Sequence, residues 1–222
     1  MKPTLIAASI LGLAAPLAHA DSWFSYEASL GAARYSGLDN GRWYQEGQPH
    51  SLSLNAPAIQ AGIKGPIIDH GTWGIDYHLG GFYLGTAQSQ CSCNPSDEAY
   101  ARHTHHQPDA DFIGSGNAWG AKLAIEPWLS VGYGFRLGFE LGATYSRVSW
   151  SETVYGWTAS PSDRPHTIDG SIPTKWVPGA VAGLSLTTGK VSLLYEHFLF
   201  AHPGNAQALF RSADVVSLRY TF

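Results

Sequence analysis

The sequence is poor in charge, in methionine and in long apolar segments. Charged residues are 14% of the chain and the formal net charge is −4, so the basic surface of a nucleic-acid-binding protein is missing and no nucleic-acid partner is expected. Beyond residue 20 no run of about 18 apolar residues occurs, which is the length that a helix needs to cross a bilayer. We therefore expect no helical membrane anchor beyond residue 20. The chain has instead 25 glycines and many aromatic residues, without helical spacing.

The first twenty residues have the pattern of a secretory signal. An apolar run over residues 5–17 follows Lys2, and Ala18-His19-Ala20 has the small-x-small form of a signal-peptidase site. We therefore expect residues 1–20 to be a cleaved signal peptide and residues 21–222 to form one mature domain.

Alternation of apolar and polar residues dominates the mature chain. In VGYGFRLGFELGATYSR, residues 131–147, every second residue from Val131 to Tyr145 is apolar, and the others are glycine, polar or charged. A two-residue period describes a β-strand, and this one exceeds the average soluble strand of about six residues. It predicts a strand whose outer face meets hydrocarbon over about 25 Å while its polar face looks inward. Similar patterns at residues 23–35, 54–65, 72–85, 115–126, 176–185, 191–200 and from about 213 onward make about eight strands.

The connections between these strands alternate in length. Long gaps lie at residues 37–53, 86–114 and 151–174, short gaps at 66–71, 127–130 and 187–190, and an intermediate one at 201–212. Outer-membrane barrels alternate long extracellular loops with short periplasmic turns in this way. The sequence therefore predicts an all-β fold, a single antiparallel transmembrane β-barrel in a bacterial outer membrane. The alternative, a secreted soluble β-sandwich, would need both the long apolar stripes and the loop alternation to be accidental.

The last residues carry a resemblance. The segment LRYTF ends the chain in an x-Tyr-x-Phe pattern, and with the signal peptide and the amphipathic strands it resembles the small outer-membrane β-barrel families typified by OmpA, OmpX and opacity proteins. The resemblance implies that Leu218, Tyr220 and Phe222 form the signal read by the barrel assembly machinery. It also implies a monomer without a cofactor, in contact with outer-membrane lipids including lipopolysaccharide, with extracellular loops available to a ligand.

The inward rows carry charges of both signs. An eight-stranded barrel has a lumen just wide enough for side chains to fill, and buried charges persist there only when they are paired. We therefore expect a polar plug, whereas a selective ion pathway is the less favoured reading. The predicted interior residues are Glu27, Lys64, Asp76, His78, Lys122, Glu126, Arg136, Glu140, Glu196 and Arg219.

Tryptophans fall near both ends of the predicted strands, which predicts two interfacial aromatic girdles. The periplasmic group is Trp23, Trp73 and Trp128, and the extracellular group is Trp43, Trp150, Trp157 and Trp176.

The second long gap holds thiols and imidazoles, which are zinc ligand types. A C-x-C pair is tighter than the usual zinc hairpin, so a local disulfide beside an exposed histidine run is the competing interpretation. The weak metal candidates are Cys91, Cys93, His103, His105 and His106.

A polar group on the lipid-facing side of the last hairpin offers a different chemistry. Because successive side chains of a strand point to opposite faces, His197 is expected to face outward near the extracellular rim, and Ser212 and Asp214 to face outward on the final strand. If the hairpin is centred between residues 205 and 206, His197 faces Asp214 and Leu199 faces Ser212. This arrangement resembles the outer-membrane lipid A 3-O-deacylases, which hydrolyse an acyl ester on the outer wall of their barrel.

The deacylase motif is incomplete here. It runs His-x-Ser-Asn, whereas this chain has His197-Phe198-Leu199-Phe200, so Ser212 would have to serve as the nucleophile, with His197 as base and Asp214 as the orienting acid. The favoured function is accordingly surface interaction or envelope integrity through the loops. A lipid A-modifying esterase is the alternative, and a small channel comes third.

Overall fold

The computed structural model describes residues 23–36, 50–93, 110–157, 166–201 and 211–222. The predicted signal peptide lies outside these residues. They form strands paired in antiparallel fashion, and none of them belongs to a helix long and apolar enough to cross a membrane. The strands are β1 Ser25–Ser36, β2 His50–Ser53, β3 Asn55–Asp69, β4 Trp73–Cys93, β5 Ala110–Gly132, β6 Phe135–Trp157, β7 His166–Thr188, β8 Val191–Phe200 and β9 Ser212–Thr221.

The sheet closes on itself. From β3 onward each strand pairs with the next along the chain, β1 pairs with β3, and β1 also pairs with β9 from Glu27 opposite Thr221 to Ser36 opposite Ser212. Both β2 and β3 pair with β4 and are separated only by Leu54, so they form one interrupted barrel strand. The result is a closed antiparallel barrel of 8 strands, which confirms the predicted fold class.

The turns at one end of the barrel are tight. Tyr133 and Gly134 connect β5 to β6 with φ of 52° and 78°, and Gly189 with φ of 57° lies in the β7–β8 turn. The predicted turn at residues 127–130 was therefore wrong, because β5 runs on to Gly132 and the turn falls inside the stretch assigned to a strand. Alternation continues through Gly132-Tyr133-Gly134, so the two-residue period did not reveal the reversal, which the flanking glycines make possible.

The strands at the opposite end are longer than predicted. The β4 and β5 strands contain 21 and 23 residues, and their ladder continues from Thr86 opposite Asn117 to Cys93 opposite Ala110. Much of the predicted loops 86–114 and 151–174 is therefore strand, as are residues 50–53 of the first predicted loop. The sequence pattern missed these extensions because serine, glycine and threonine replace the apolar stripe while backbone pairing continues.

The outer wall carries the predicted apolar rows between two aromatic groups. At the long-strand end Trp176 stacks on Tyr145 with ring centroids 5.2 Å apart and contacts Trp119 edge-on at 5.1 Å. At the short-turn end Trp23 lies 6.0 Å from Tyr77. Along β5 the ten residue steps from Trp119 to Leu129 rise about 33 Å, which a tilt of about 40° reduces to about 25 Å, the height of a bilayer's apolar band.

Trp128 does not belong to the girdle where it was predicted. Its side chain is buried, because it shares the inward row of β5 with Glu126 and Lys122. Trp43 and the side chains of Trp150 and Trp157 lie outside the described residues.

The lumen has an apolar layer toward the long-strand end. Phe82 and Phe198 meet with ring centroids 4.9 Å apart, and the buried Tyr35 donates a hydrogen bond to the carbonyl of Gly85 at 2.9 Å and accepts one from the Ala118 backbone N–H at 3.0 Å. Gly85 adopts φ of 71° where the β4–β5 register shifts, and a Cβ there would lie 2.3 Å from the Pro57 oxygen, so this bulge requires glycine. This apolar layer lies between the long-strand end and the charged side chains in the middle of the lumen.

Candidate functional site: an ionic core and an outer-wall dyad

A layer of charged and polar side chains fills the middle of the barrel. Each of the eight barrel strands contributes at least one side chain to it, so hydrogen bonds and ion pairs cross the lumen in several directions. The members are Glu27, Gln60, His78, Lys122, Glu126, Glu140, Ser185, Glu196 and Arg219, all of them buried.

Arg219 is the most connected cation of this ionic core. Its guanidinium places Nη2 2.6 Å from Oε2 of Glu140 and Nη1 3.1 Å from Oε2 of Glu126, and its Nε lies 3.7 Å from Oε2 of Glu27. These acids belong to β6, β5 and β1, and Arg219 belongs to β9. One rigid fork of donors therefore ties four barrel strands together.

Lys122 joins two further carboxylates. Its Nζ lies 2.7 Å from Oε1 of Glu140 and 2.6 Å from Oε1 of Glu196. The other oxygen of Glu196 accepts a hydrogen bond from the side-chain amide of Gln60. Glu140 thus links the arginine half of the core to the lysine half.

His78 lies between two acids. Its Nδ1 is 3.0 Å from Oε2 of Glu27 and its Nε2 is 3.3 Å from Oε2 of Glu126. Donor atoms of His78, Glu126 and Glu140 also come within 4.8 Å of one another, which is close enough to hold a metal ion. The guanidinium of Arg219 contacts both of these glutamates and supplies a cation between them, so the geometry favours an ion-pair network over a metal centre.

The three other predicted interior residues, Lys64, Asp76 and Arg136, lie closer to the short-turn end. Lys64 Nζ forms an ion pair of 3.1 Å with Oδ2 of Asp76. Arg136 departs from the predicted network, because it is exposed and its guanidinium lies over the Trp128 ring, 4.1 Å from the centroid. Arg136 belongs to the inward row, but it is the second residue of β6 and lies where the lumen opens to solvent.

A second polar group lies on the outer wall of the last hairpin. The β8–β9 register places His197 opposite Asp214 and Leu199 opposite Ser212. His197 Nδ1 lies 2.7 Å from Oδ1 of Asp214, and the Tyr195 hydroxyl donates to the same oxygen at 2.7 Å. Both side chains of this pair, the outer-wall dyad, are 36% exposed among the apolar rows.

Ser212 is not joined to this dyad. Among the described residues no hydrogen bond connects its hydroxyl to His197, and it lies diagonally across the strand pair, where Cα atoms are about 7–8 Å apart. Arg34 of β1 lies directly opposite Asp214 on the other side of β9. An acid that holds the Nδ1 of a histidine leaves Nε2 free to take a proton, so the dyad has two parts of an acyl-transfer site without a bonded nucleophile.

The remaining predicted residues are distributed between the wall and the undescribed part of the chain. Leu218 and Tyr220 lie in the outward row of β9, and Phe222 follows the last residue of that strand. The Tyr220 and Phe222 rings meet edge-on at 5.1 Å. The backbones of Cys91 and Cys93 belong to the end of β4, while their side chains and His103, His105 and His106 lie outside the described residues.

Several contacting residues were absent from the sequence-based list. Gln60, Ser185 and Tyr195 complete the two sites, with Ser185 donating to Oε1 of Glu126 at 2.9 Å. Strand parity put Gln60 and Ser185 in inward rows and Tyr195 in the same outward row as His197. That signal was available for all three, but only charged residues and histidine were counted in the inward rows, and Tyr195 was counted with its apolar row.

Comparisons with known proteins add distant structural neighbours. No protein-family model and no curated protein matches the chain. Ail, the attachment invasion locus protein of Yersinia pestis, is 12% identical with a TM-score of 0.41, covering 90% of this chain and 97% of that chain. Its complex with the heparin analogue sucrose octasulfate gives 10% identity and 0.39, covering 90% and 100%. The translocator domain of the autotransporter NalP from Neisseria meningitidis gives 11% and 0.17, covering 97% and 94%.

Proposed function

We propose that this chain is an integral outer-membrane barrel with a plugged, non-conducting interior, whose extracellular side acts in surface interaction or envelope integrity. The closed barrel has the architecture of the small outer-membrane β-barrel proteins. The single observation that carries the proposal is the ionic core, in which Arg219 and Lys122 each bridge carboxylates from different barrel strands. A lumen filled by paired charges leaves the surfaces to carry the function. The partners expected on those surfaces are lipopolysaccharide, the assembly machinery and an extracellular ligand.

If side chains plug the lumen, the barrel should conduct no ions across a membrane. Purified protein in planar bilayers should give no single-channel steps, because the buried side chains that cross the lumen exclude a continuous water path. The measurement is single-channel conductance at several voltages, with a known porin in the same bilayers as a positive control. Regular unitary steps from folded protein would contradict the proposal and favour the small channel.

The membrane position predicts unequal effects of two similar substitutions. Leu123 and Ile113 are outward residues of β5 with 57% and 45% exposure, but Leu123 lies midway between the aromatic groups and Ile113 lies beyond Trp119. We expect Leu123→Arg to lower the free energy of unfolding by about 2–4 kcal/mol and Ile113→Arg by about 0–1 kcal/mol. Urea unfolding of protein refolded into liposomes measures both. Equal effects would place the apolar band elsewhere.

The outer-wall dyad supports a second candidate function, the hydrolysis of an acyl ester in a lipid A-like glycolipid. The observation that favours it is the 2.7 Å contact of His197 Nδ1 with Asp214, which orients an imidazole toward the lipid side of the barrel. In this reading Ser212 moves toward His197 when substrate binds. Its proton passes to Nε2 and its oxygen attacks the ester carbonyl, releasing the alcohol, after which water hydrolyses the acyl-enzyme.

Lipid A mass spectrometry of cells with and without the protein tests this candidate. If the dyad is catalytic, expression removes an acyl chain, and either His197→Ala or Ser212→Ala abolishes the change, while Leu199→Ala, the outward neighbour on β8, retains it. An unchanged acyl pattern in cells that contain heat-modifiable, folded wild-type protein would reject the enzyme and leave the first proposal in place.

A further inference from the structure

The lumen opens into a cavity at the short-turn end of the barrel. Its volume is about 470 Å³, within the range of about 300–1,000 Å³ of small-molecule pockets. Its walls include Lys64 of β3, Arg136 of β6 and Lys190 of the β7–β8 turn. We propose that this cavity binds a phosphate-bearing anion. The short-turn end faces the periplasm if the barrel is oriented as in the proposed function. The anion-binding chemistry of the cavity does not depend on that orientation.

The positive charge of the cavity is only partly compensated. Lys64 is paired with Asp76 at 3.1 Å, but within the described ranges neither Arg136 nor Lys190 has a carboxylate within ion-pair distance. The carboxylate of Asp69, the last residue of β3, accepts a hydrogen bond from the Gly71 backbone N–H at 2.7 Å. Arg136 and Lys190, from adjacent elements, therefore line a concave space together with Phe222, whose terminal carboxylate is within ion-pair distance of neither cation.

The neutral part of the lining also suits an anion. Ser25, Ser130, Thr187 and Thr221 line the cavity with hydroxyl groups that can donate hydrogen bonds, and no aspartate or glutamate is among its described lining residues. Arginine and lysine donate only, so Lys64, Arg136 and Lys190 offer donors and no acceptor. A tetrahedral oxyanion can accept from several walls at once.

Arg136 is held in position for this role. Its guanidinium lies 4.1 Å from the centroid of the buried Trp128 ring, and a planar group resting on a ring keeps its edge donors free for a bidentate contact. The ionic core closes the lumen beyond Trp128, so the cavity is a dead end in which a ligand stays rather than passes. The same chemistry fits the phosphate of a phospholipid headgroup and free inorganic phosphate.

Phosphorus NMR of the full chain, folded in a zwitterionic detergent, tests the proposal with two probes, inorganic phosphate and monomeric dihexanoyl phosphatidylglycerol. We expect binding of at least one probe to broaden its signal, and the Arg136→Gln/Lys190→Gln double variant to weaken that binding about tenfold or more. Arg147→Gln, an exposed arginine outside the cavity, should bind as the wild type does. Heat-modifiable migration verifies that each variant is folded.

The two probes separate the sources of the ligand. Binding of phosphatidylglycerol alone identifies a lipid headgroup site, and binding of inorganic phosphate, with or without the lipid, identifies a site for the free anion. Absence of binding by both probes, or equal binding by the wild type and the double variant, would overturn the proposal. Because the experiment needs neither a membrane nor an acyl ester, its failure is distinct from a failure of the plug or the enzyme.

Discussion

Arg219→Met is expected to lower the free energy of unfolding of the barrel strongly. The guanidinium contacts Glu140 at 2.6 Å and Glu126 at 3.1 Å, and all three side chains are buried. Methionine fills much of the same volume but leaves the carboxylates without their shared cation. Removing one partner of a buried ion pair costs about 3–5 kcal/mol, because the remaining charges stay desolvated. We expect the free energy of unfolding, measured by urea titration in liposomes, to fall by about this amount.

The matched control for this substitution is Arg147→Met. Arg147 is exposed on the outer wall of β6 and has no ion pair within the described residues, so its replacement should change the free energy of unfolding by less than about 1 kcal/mol. Arg219→Lys keeps the charge but loses the fork, and its stability should fall between that of Arg219→Met and the wild type. If Arg219→Met is as stable as the Arg147 variant, the ionic core is not held together by this cation.

Strand parity explains why so much of the architecture could be predicted from the sequence. A β-strand directs successive side chains to opposite faces whatever surrounds it, so the period that makes Glu196 face the lumen also makes His197 face outward. The register of the last hairpin followed from its assumed centre, and the structure pairs His197 with Asp214 in that register. Both properties depend only on local backbone geometry.

The ends of the strands were predicted less well because pairing does not require an apolar stripe. The β4 strand continues past Thr86 to Cys93 with polar residues, held by the backbone ladder to β5. Tyr133 lies in a turn although it continues the alternation of its neighbours. The hydrophobic period reports where a strand meets an apolar environment, and it cannot report where hydrogen bonding stops.

The partners inside the lumen could not be predicted for a different reason. Parity selects which side chains point inward, but the contact of Gln60 with Glu196, or of Ser185 with Glu126, crosses the barrel between strands that are not neighbours. Such contacts depend on the stagger of the closed sheet, which no single strand encodes. The sequence therefore predicted that the core is charged, but not which side chains contact each other in it.

The ion-pair network of the lumen contains more acidic than basic side chains. Four buried glutamates face Lys122, Arg219 and His78, so negative groups outnumber positive ones even when the imidazole is protonated. Lys122→Met would leave Glu196 and Glu140 without their 2.6 and 2.7 Å contacts, and we expect the free energy of unfolding to fall by about 3–5 kcal/mol. Glu196→Gln alone removes a surplus charge and keeps an acceptor, so it should change stability by about 1 kcal/mol or less.

The double variant Lys122→Met/Glu196→Gln distinguishes this charge balance from simple packing. With Glu196 neutralised, Glu140 still has Arg219 at 2.6 Å, so the loss caused by Lys122→Met should be partly reversed, with a coupling of about 1–3 kcal/mol in a double-mutant cycle. Lys190→Met, in an exposed turn, is the matched lysine control and should leave stability nearly unchanged. Additive effects of the two core substitutions would mean that the loss caused by Lys122→Met does not come from leaving Glu196 unpaired.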